Sequence, residues 1–357
     1  MFVLLSSAAS PRYRHDILRC ISAPIGAKIQ FRYAQRHFDE NALESLRSSA
    51  QSNEISEDAV VCFADSAVAD GSLPIIPVRR AVIEGVAFHG SSVSVQLRVE
   101  DFAFHEGDLS AAIAQMSGQV SPSKKDNKVV GKFAFAAGDI GKADGLNFGS
   151  DLAIWEKLVE RLQKCGSFEN EAFFWVVLGL RDAAAARVLD EKCDRWNDKL
   201  ESSSNSTLCI YHFRPQRDGE PNGELAFNTV GPIEAGSPSR LSIDSRYDLK
   251  RWNIRSQKRD SQTHYGWLII RCDDEWELEL PVVLEGSIKR EVISAFFAGV
   301  FIAAPSVISL VTHYGSQLSL QWRGTPHVEF CLLVALSVVS GWIASYLVLS
   351  GVPRVRP

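Results

Sequence analysis

Histidines, cysteines and paired carboxylates are the side chains that most often carry chemistry, and here none falls at a recognised spacing. The eight histidines, His15, His37, His89, His105, His212, His264, His313 and His327, form no H-E-x-x-H pair of the kind that holds zinc on one helix face beside a glutamate base. His105-Glu106-Gly107-Asp108 brings an imidazole and two carboxylates into four residues, and His212 sits in an apolar run. These two places are the candidates for acid-base work; a turn and a core-edge histidine are their plainer readings. The seven cysteines, Cys20, Cys62, Cys165, Cys193, Cys209, Cys272 and Cys331, are widely spaced, with no C-x-x-C pair. They read as small buried residues of a reducing compartment. Gly141-Lys142-Ala143-Asp144-Gly145 lacks the spacing and the following hydroxyl of a phosphate loop. The expectation is therefore no catalytic residue, no metal and no cofactor, and a chain that is not an enzyme.

The next chemistry is charge. Lys250-Arg251-Trp252-Asn253-Ile254-Arg255-Ser256-Gln257-Lys258-Arg259 is a basic run with an aromatic in it. Strand parity turns Trp252 and Ile254 inward and Arg251 and Arg255 outward. Lys250, Arg251, Arg255, Lys258 and Arg259 are thus candidates for contact with anionic headgroups, at about 1 kcal/mol per basic residue; a solvated face is the plainer reading. The formal net charge is −5, and residues 286–357 carry five basic against two acidic residues, which leaves −8 on the rest. An acidic head argues against nucleic acid as a partner, because that binding is driven by Lys and Arg displacing counterions.

Two uncharged apolar stretches, 292–312 and 330–352, each reach the length of about 20 residues that a spanning helix needs. Ala295, Gly299 and Ala303 are four apart on the first, and Ser337, Gly341 and Ser345 on the second. Small residues at that spacing let helix backbones approach closely, as an anchoring hairpin or in an oligomer. Lys289 and Arg290 before the first stretch and Arg354 and Arg356 after the second, against Arg323 alone between them, place head and tail on the cytoplasmic side. The apolar run near Met1 is too short for a secretory signal.

The rest of the chain must position whatever the head binds. Up to residue 140 period-2 alternation dominates: Ile29, Phe31 and Tyr33, then Val93, Val95, Leu97 and Val99, alternate with polar residues. This predicts a small antiparallel sheet or barrel, with a hairpin turn at His89-Gly90 and a short helix capped by Asp39. Residues 141–202 read as a helical region. Ser150 and Asp151 open an amphipathic helix carrying Leu152, Trp155, Val159 and Leu162, and Gly166 stops it. Ala172 to Leu180 is an apolar run that fits strand or helix. Asp182 to Leu200 reads as helix, with Leu189, Cys193, Trp196 and Leu200 as its buried stripe. Residues 203–286 return to strands, most clearly at Trp276, Leu278, Leu280 and Val282.

The resulting expectation is an α+β cytoplasmic head, two strand-rich regions (1–140 and 203–286) flanking a helical one, joined to a two-helix transmembrane hairpin over 287–357. It implies a two-pass plasma (inner) membrane protein with both termini cytoplasmic. Its head would bind a ligand or protein partner, and its hairpin would oligomerise and perturb the bilayer. In layout alone, with no shared motif, this resembles the membrane effectors of bacterial self-killing defence systems. A membrane-anchored adaptor or scaffold is the alternative, and an enzyme with a spatially assembled site the second.

Overall fold

A computed structural model describes residues 1–7, 11–51, 55–66, 73–117, 123–125, 128–138, 140–169, 171–182, 193–201, 205–214, 223–236, 238–257, 263–272 and 275–285. Met1–Gln257 and Tyr265–Val283 form one compact unit, to which the description below refers; the other unit, Lys258–His264 and Leu284–Pro357, lies almost entirely outside the described residues.

The first half contains β1 (Phe2–Ser7), α1 (Pro11–Ser22), β2 (Lys28–Ala34), α2 (Glu40–Gln51), β3 (Glu57–Ala64), β4 (Ile75–His89), β5 (Ser92–Phe104), α3 (Ser110–Ser117), the short strands β6 (Ser123–Lys125), β7 (Lys128–Val130), β8 (Ala134–Ala136) and β9 (Asn147–Gly149), and α4 (Leu152–Gln163). Its main sheet has the order β2-β5-β4-β3-β1-β8, with β9 also on β5. β1 and β3 are parallel, Phe2 opposite Ala59 and Ser7 opposite Ala64. Every residue of β1 and the last six of β3 are buried. Burial on both faces is why these strands read as unbroken apolar runs. β2, by contrast, alternates strictly, with Lys28, Gln30 and Arg32 exposed and Ile29, Phe31 and Tyr33 buried.

Arg79 of β4, with 0% of its surface exposed, ties α1 to this sheet. Its Nε donates to the Cys20 carbonyl (3.0 Å) and its guanidinium also donates to the carbonyls of Glu100 (2.8 Å) and Ala23. The same group lies 3.6 Å from the centroid of the Phe102 ring. A buried cation is costly unless partnered; here it answers carbonyls that the end of a helix leaves unpaired and that carry its negative dipole end.

The second half comprises β10 (Phe174–Asp182), β11 (Lys199–Glu201), β12 (Asn205–Phe213), β13 (Gly223–Val230), β14 (Ile233–Ala235), β15 (Arg240–Ile243), β16 (Tyr247–Ser256), β17 (His264–Cys272) and β18 (Trp276–Glu285). They form two sheets, β10-β12-β16-β14 and β11-β18-β17-β13-β15. Two aromatic stacks join the sheets: Trp175 on Trp276, with ring centroids 5.2 Å apart, and Phe227 on Trp252, at 4.5 Å. The outer face of the first sheet is covered by helices. Ser22 of α1 donates to the Trp175 carbonyl (2.8 Å), and Trp155 of α4 meets the ring of Tyr211 edge-on (5.7 Å). That cover explains why β10 and β12 lack alternation, whereas β16 and β17 alternate.

Several expectations are corrected. The described residues are 54% strand and 21% helical, so the fold is β-rich and not α+β with a transmembrane hairpin. No helix among the described residues is long and apolar enough to cross a membrane; the longest have 12 residues. The two-pass inner-membrane assignment is withdrawn on that finding. The stretches 292–312 and 330–352, with Ala295, Gly299, Ala303, Ser337, Gly341 and Ser345, lie outside the described residues. The first sheet is mixed, with its parallel β1 and β3, and not a small antiparallel one. Ala172 to Leu180 supplies most of β10. The predicted helix over Asp182 to Leu200 is absent where it is described: residues 193–198 are irregular and β11 follows, although Cys193, Trp196 and Leu200 are buried as the stripe required. Burial at helical spacing also fits an irregular segment laid over a sheet, and here tertiary packing overrode local preference.

Candidate functional site

β12 and β16 pair antiparallel, so Phe213 lies directly opposite Tyr247. Directly paired residues share a face, and by strand parity Tyr211 lies on it too, the face on which Trp155 of α4 packs. Glu156 and Glu160 are one helical turn apart on α4, a spacing that sets their Cβ atoms about 6 Å apart. The Tyr211 hydroxyl donates to Glu156 Oε1 and so fixes that carboxylate. Burial, followed by the Glu156 carboxylate, pushes the Tyr211 phenol well above its ordinary pKa. It therefore remains a donor. The amide of Arg214 donates to the Arg246 carbonyl, which holds the start of β16 against the end of β12.

The result is an open groove of about 430 Å³ lined by Glu156, Glu160, Phe213, Arg246 and Tyr247. Tyr247 is 59% exposed, an aromatic ring left in solvent at the groove. Two glutamates, an arginine, a phenylalanine and a tyrosine line one space. Such a set can hold cations against carboxylate and ring, and an anion against arginine. Among the described residues, no serine, cysteine or histidine lines the groove.

The places marked by sequence are distributed differently. The ring nitrogens of His105 face backbone carbonyls, Nδ1 that of Gly107 (2.8 Å) and Nε2 that of Asp144 (3.0 Å). Arg161 of α4 donates to the carbonyls of His105 and Gly107, and Asp108 accepts from the amides of Ile75 (2.8 Å) and Ser110 (3.0 Å). His105-Glu106-Gly107-Asp108 is thus a turn that ties α4, β4 and α3 together, with the His105 ring on backbone carbonyls and Asp108 accepting from backbone amides and the Ser110 hydroxyl. His212 is fully buried, with Nε2 3.1 Å from the Ser245 carbonyl and Nδ1 without a hydrogen-bond partner among the described residues. Burial lowers its pKa, so it is a neutral core histidine. Cys20 and Cys165 have thiols pushed up to about 12 and Cys193 to about 11, each chiefly by burial. None of the three is poised as a thiolate nucleophile. No metal-holding group of His, Cys, Asp and Glu occurs among the described residues.

In the basic run, Trp252 and Ile254 are buried and Arg251 and Arg255 exposed, as parity requires. Lys250 is engaged by Asp244 and Asp248, each at 3.4 Å, which offsets its charge. Lys258 and Arg259 lie outside the described residues. Lys250, Arg251 and Arg255 do not line the groove. Sequence reasoning missed the groove residues. Their faint signals are the Glu156-Glu160 pair on the polar side of α4 and an aromatic beside Arg246 at the start of a strand.

No family model matches the chain, and no curated protein matches it. Among solved structures, a FixG-related protein from Vibrio parahaemolyticus is 9% identical with a TM-score of 0.19, covering 24% of this chain and 82% of that one. A conjugative transposon lipoprotein from Bacteroides eggerthii is 6% identical with a TM-score of 0.19, covering 32% and 98%. The CsuC-CsuE chaperone-tip adhesion subunit complex of Acinetobacter baumannii is 12% identical with a TM-score of 0.20, covering 26% and 50%. Likeness this weak carries no argument about fold or function.

Proposed function

We propose that this chain is a non-enzymatic recognition module whose groove between α4 and the β12–β16 pair binds a small charged ligand. The observation that carries this reading is the convergence of Glu156, Glu160 and Arg246 on a space walled by Phe213 and the exposed ring of Tyr247. Opposed charges beside an open aromatic ring form a constellation suited to holding a charged ligand. The test is thermal unfolding of the full chain against a panel of free amino acids, alkylamines and short carboxylates. A saturable rise in Tm with one member, lost in Tyr247→Ala, supports the reading; no shift with any member overturns it.

A second reading, an adaptor for a protein partner or a second copy of the chain, is favoured by a different surface. Val230 (52% exposed) is paired with Trp267 (42%), and Tyr265 (75%) is two residues along β17 on the same face. A contiguous exposed patch of that composition is typical of interaction surfaces. Replacing Tyr265 and Trp267 by serine separates the readings: the ligand-sensing module keeps its ligand response, and the adaptor loses its partner.

A further inference from the structure

Once the groove is taken as a ligand site, its charges specify more than a general preference for polar molecules. The described residues that line it carry two carboxylates and one guanidinium, a formal net of −1, beside Phe213 and Tyr247. Among the described residues, neither Glu160 nor Arg246 has a side-chain ion pair within the groove or beside it. Lys250, the nearest basic side chain along β16, is occupied by Asp244 and Asp248. The complementary ligand carries two cationic groups and one carboxylate on a short apolar stem.

Resting on that reading of the groove, we infer that it binds a free basic amino acid, arginine or lysine, with its carboxylate on Arg246 and its two cationic ends on Glu156 and Glu160. The α-carboxylate meets a planar fork of donors, the arrangement in which arginine is strongest. The two carboxylates, one turn apart on a rigid helix, separate the two cations. One of them is already oriented by the Tyr211 hydroxyl. The ring of Tyr247 lies open to a side-chain cation, for which an aromatic face is attractive. The same count disfavours two near alternatives, each of which leaves one lining charge unanswered. A basic residue at a peptide C-terminus has lost its ammonium, and one at an N-terminus has lost its carboxylate.

Titration calorimetry on the full chain tests this with L-arginine and L-lysine beside agmatine, which lacks the carboxylate, N-acetyl-arginine, which lacks the ammonium, and L-glutamate and L-leucine. The expected result is saturable binding of arginine or lysine, weakened about tenfold or more in agmatine and N-acetyl-arginine. Arg246→Gln should abolish the preference for arginine over agmatine, and Glu160→Gln should weaken arginine and lysine alike. Both residues are exposed, so these variants should keep the wild-type Tm without ligand. Equal binding of arginine and agmatine by the wild-type chain overturns the inference without use of any variant. Preferred binding of glutamate or leucine that depends on Tyr247 overturns the ligand class and leaves the groove standing. Arginine binding indifferent to both substitutions places the ligand elsewhere and overturns the inference. No binding by any member of the series, with no Tm shift across the wider panel, removes the groove reading as well.

Discussion

At the scale of single residues, the most displaced carboxylate is one that touches no ligand site. Asp16 of α1 is buried, and burial raises its pKa to about 6, against the opposing pull of Arg19, whose Nη1 is 3.6 Å away. Because the folded state holds this proton more tightly than the unfolded chain, its contribution favours the fold below about pH 4 and is lost as pH rises through about 6. Asp16→Asn should therefore raise stability at pH 7.5, by up to about 3 kcal/mol, and change it little at pH 4. His212 has the opposite sign, since its pKa is lowered by burial. Its contribution is present above about pH 6.5 and lost as pH falls through the folded value. Urea unfolding at pH 4, 5.5 and 7.5 should show a steeper acid loss in Asp16→Asn than in the parent, in which the two groups oppose each other. Equal slopes would mean that Asp16 is not desolvated as described.

At the scale of elements, glycines mark two turns for different reasons. Gly90 closes the β4–β5 hairpin between the paired residues His89 and Ser92, at φ +57, with nothing within 4 Å of where a side chain would begin. Gly231 follows β13 at φ +95, and a Cβ there would lie 2.8 Å from the Tyr265 carbonyl oxygen and 3.0 Å from the Gly266 Cα. Gly90→Ala should cost about 1 kcal/mol, the strain of a left-handed residue alone. Gly231→Ala should cost more, because backbone must move as well. Thermal unfolding of both variants checks the order, and the reverse order would show that β13 and β17 are less closely apposed. The hairpin at His89-Gly90 was legible because turn chemistry is local. The approach of Gly231 to β17 was not, since it depends on a strand more than 30 residues further on.

At the scale of the whole compact unit, the two halves share their cover. β10 and β12 bury one face against the other sheet of the sandwich and the opposite face beneath α1 and α4, and α1 is held to the first sheet by Arg79. Neither half can expose that surface without opening the other. Unfolding of this unit should be a single transition, with tryptophan fluorescence from Trp155, Trp175 and Trp252 coinciding with loss of far-ultraviolet dichroism. Two separated transitions would refute the coupling. The same cover positions the groove, because α4 brings its glutamates to the β12–β16 pair only where it packs on Tyr211.

Elements with one wet face were decided by sequence: the alternation of β2, β5 and β18, the apolar stripe of α4 from Leu152 to Leu162, and the Asp39 cap, which accepts from the amides of Asn41 and Ala42. A period of 2 or 3.6 reports a half-buried environment directly. The tertiary structure decided the rest: β10 as strand, the parallel pairing of β1 and β3, the sandwich, and the irregular path through Cys193 and Trp196. Strands buried on both faces have no period to read. The five residues of the groove come from three separate stretches of chain, and only strand register and helix packing bring Glu160 and Tyr247 to the same space.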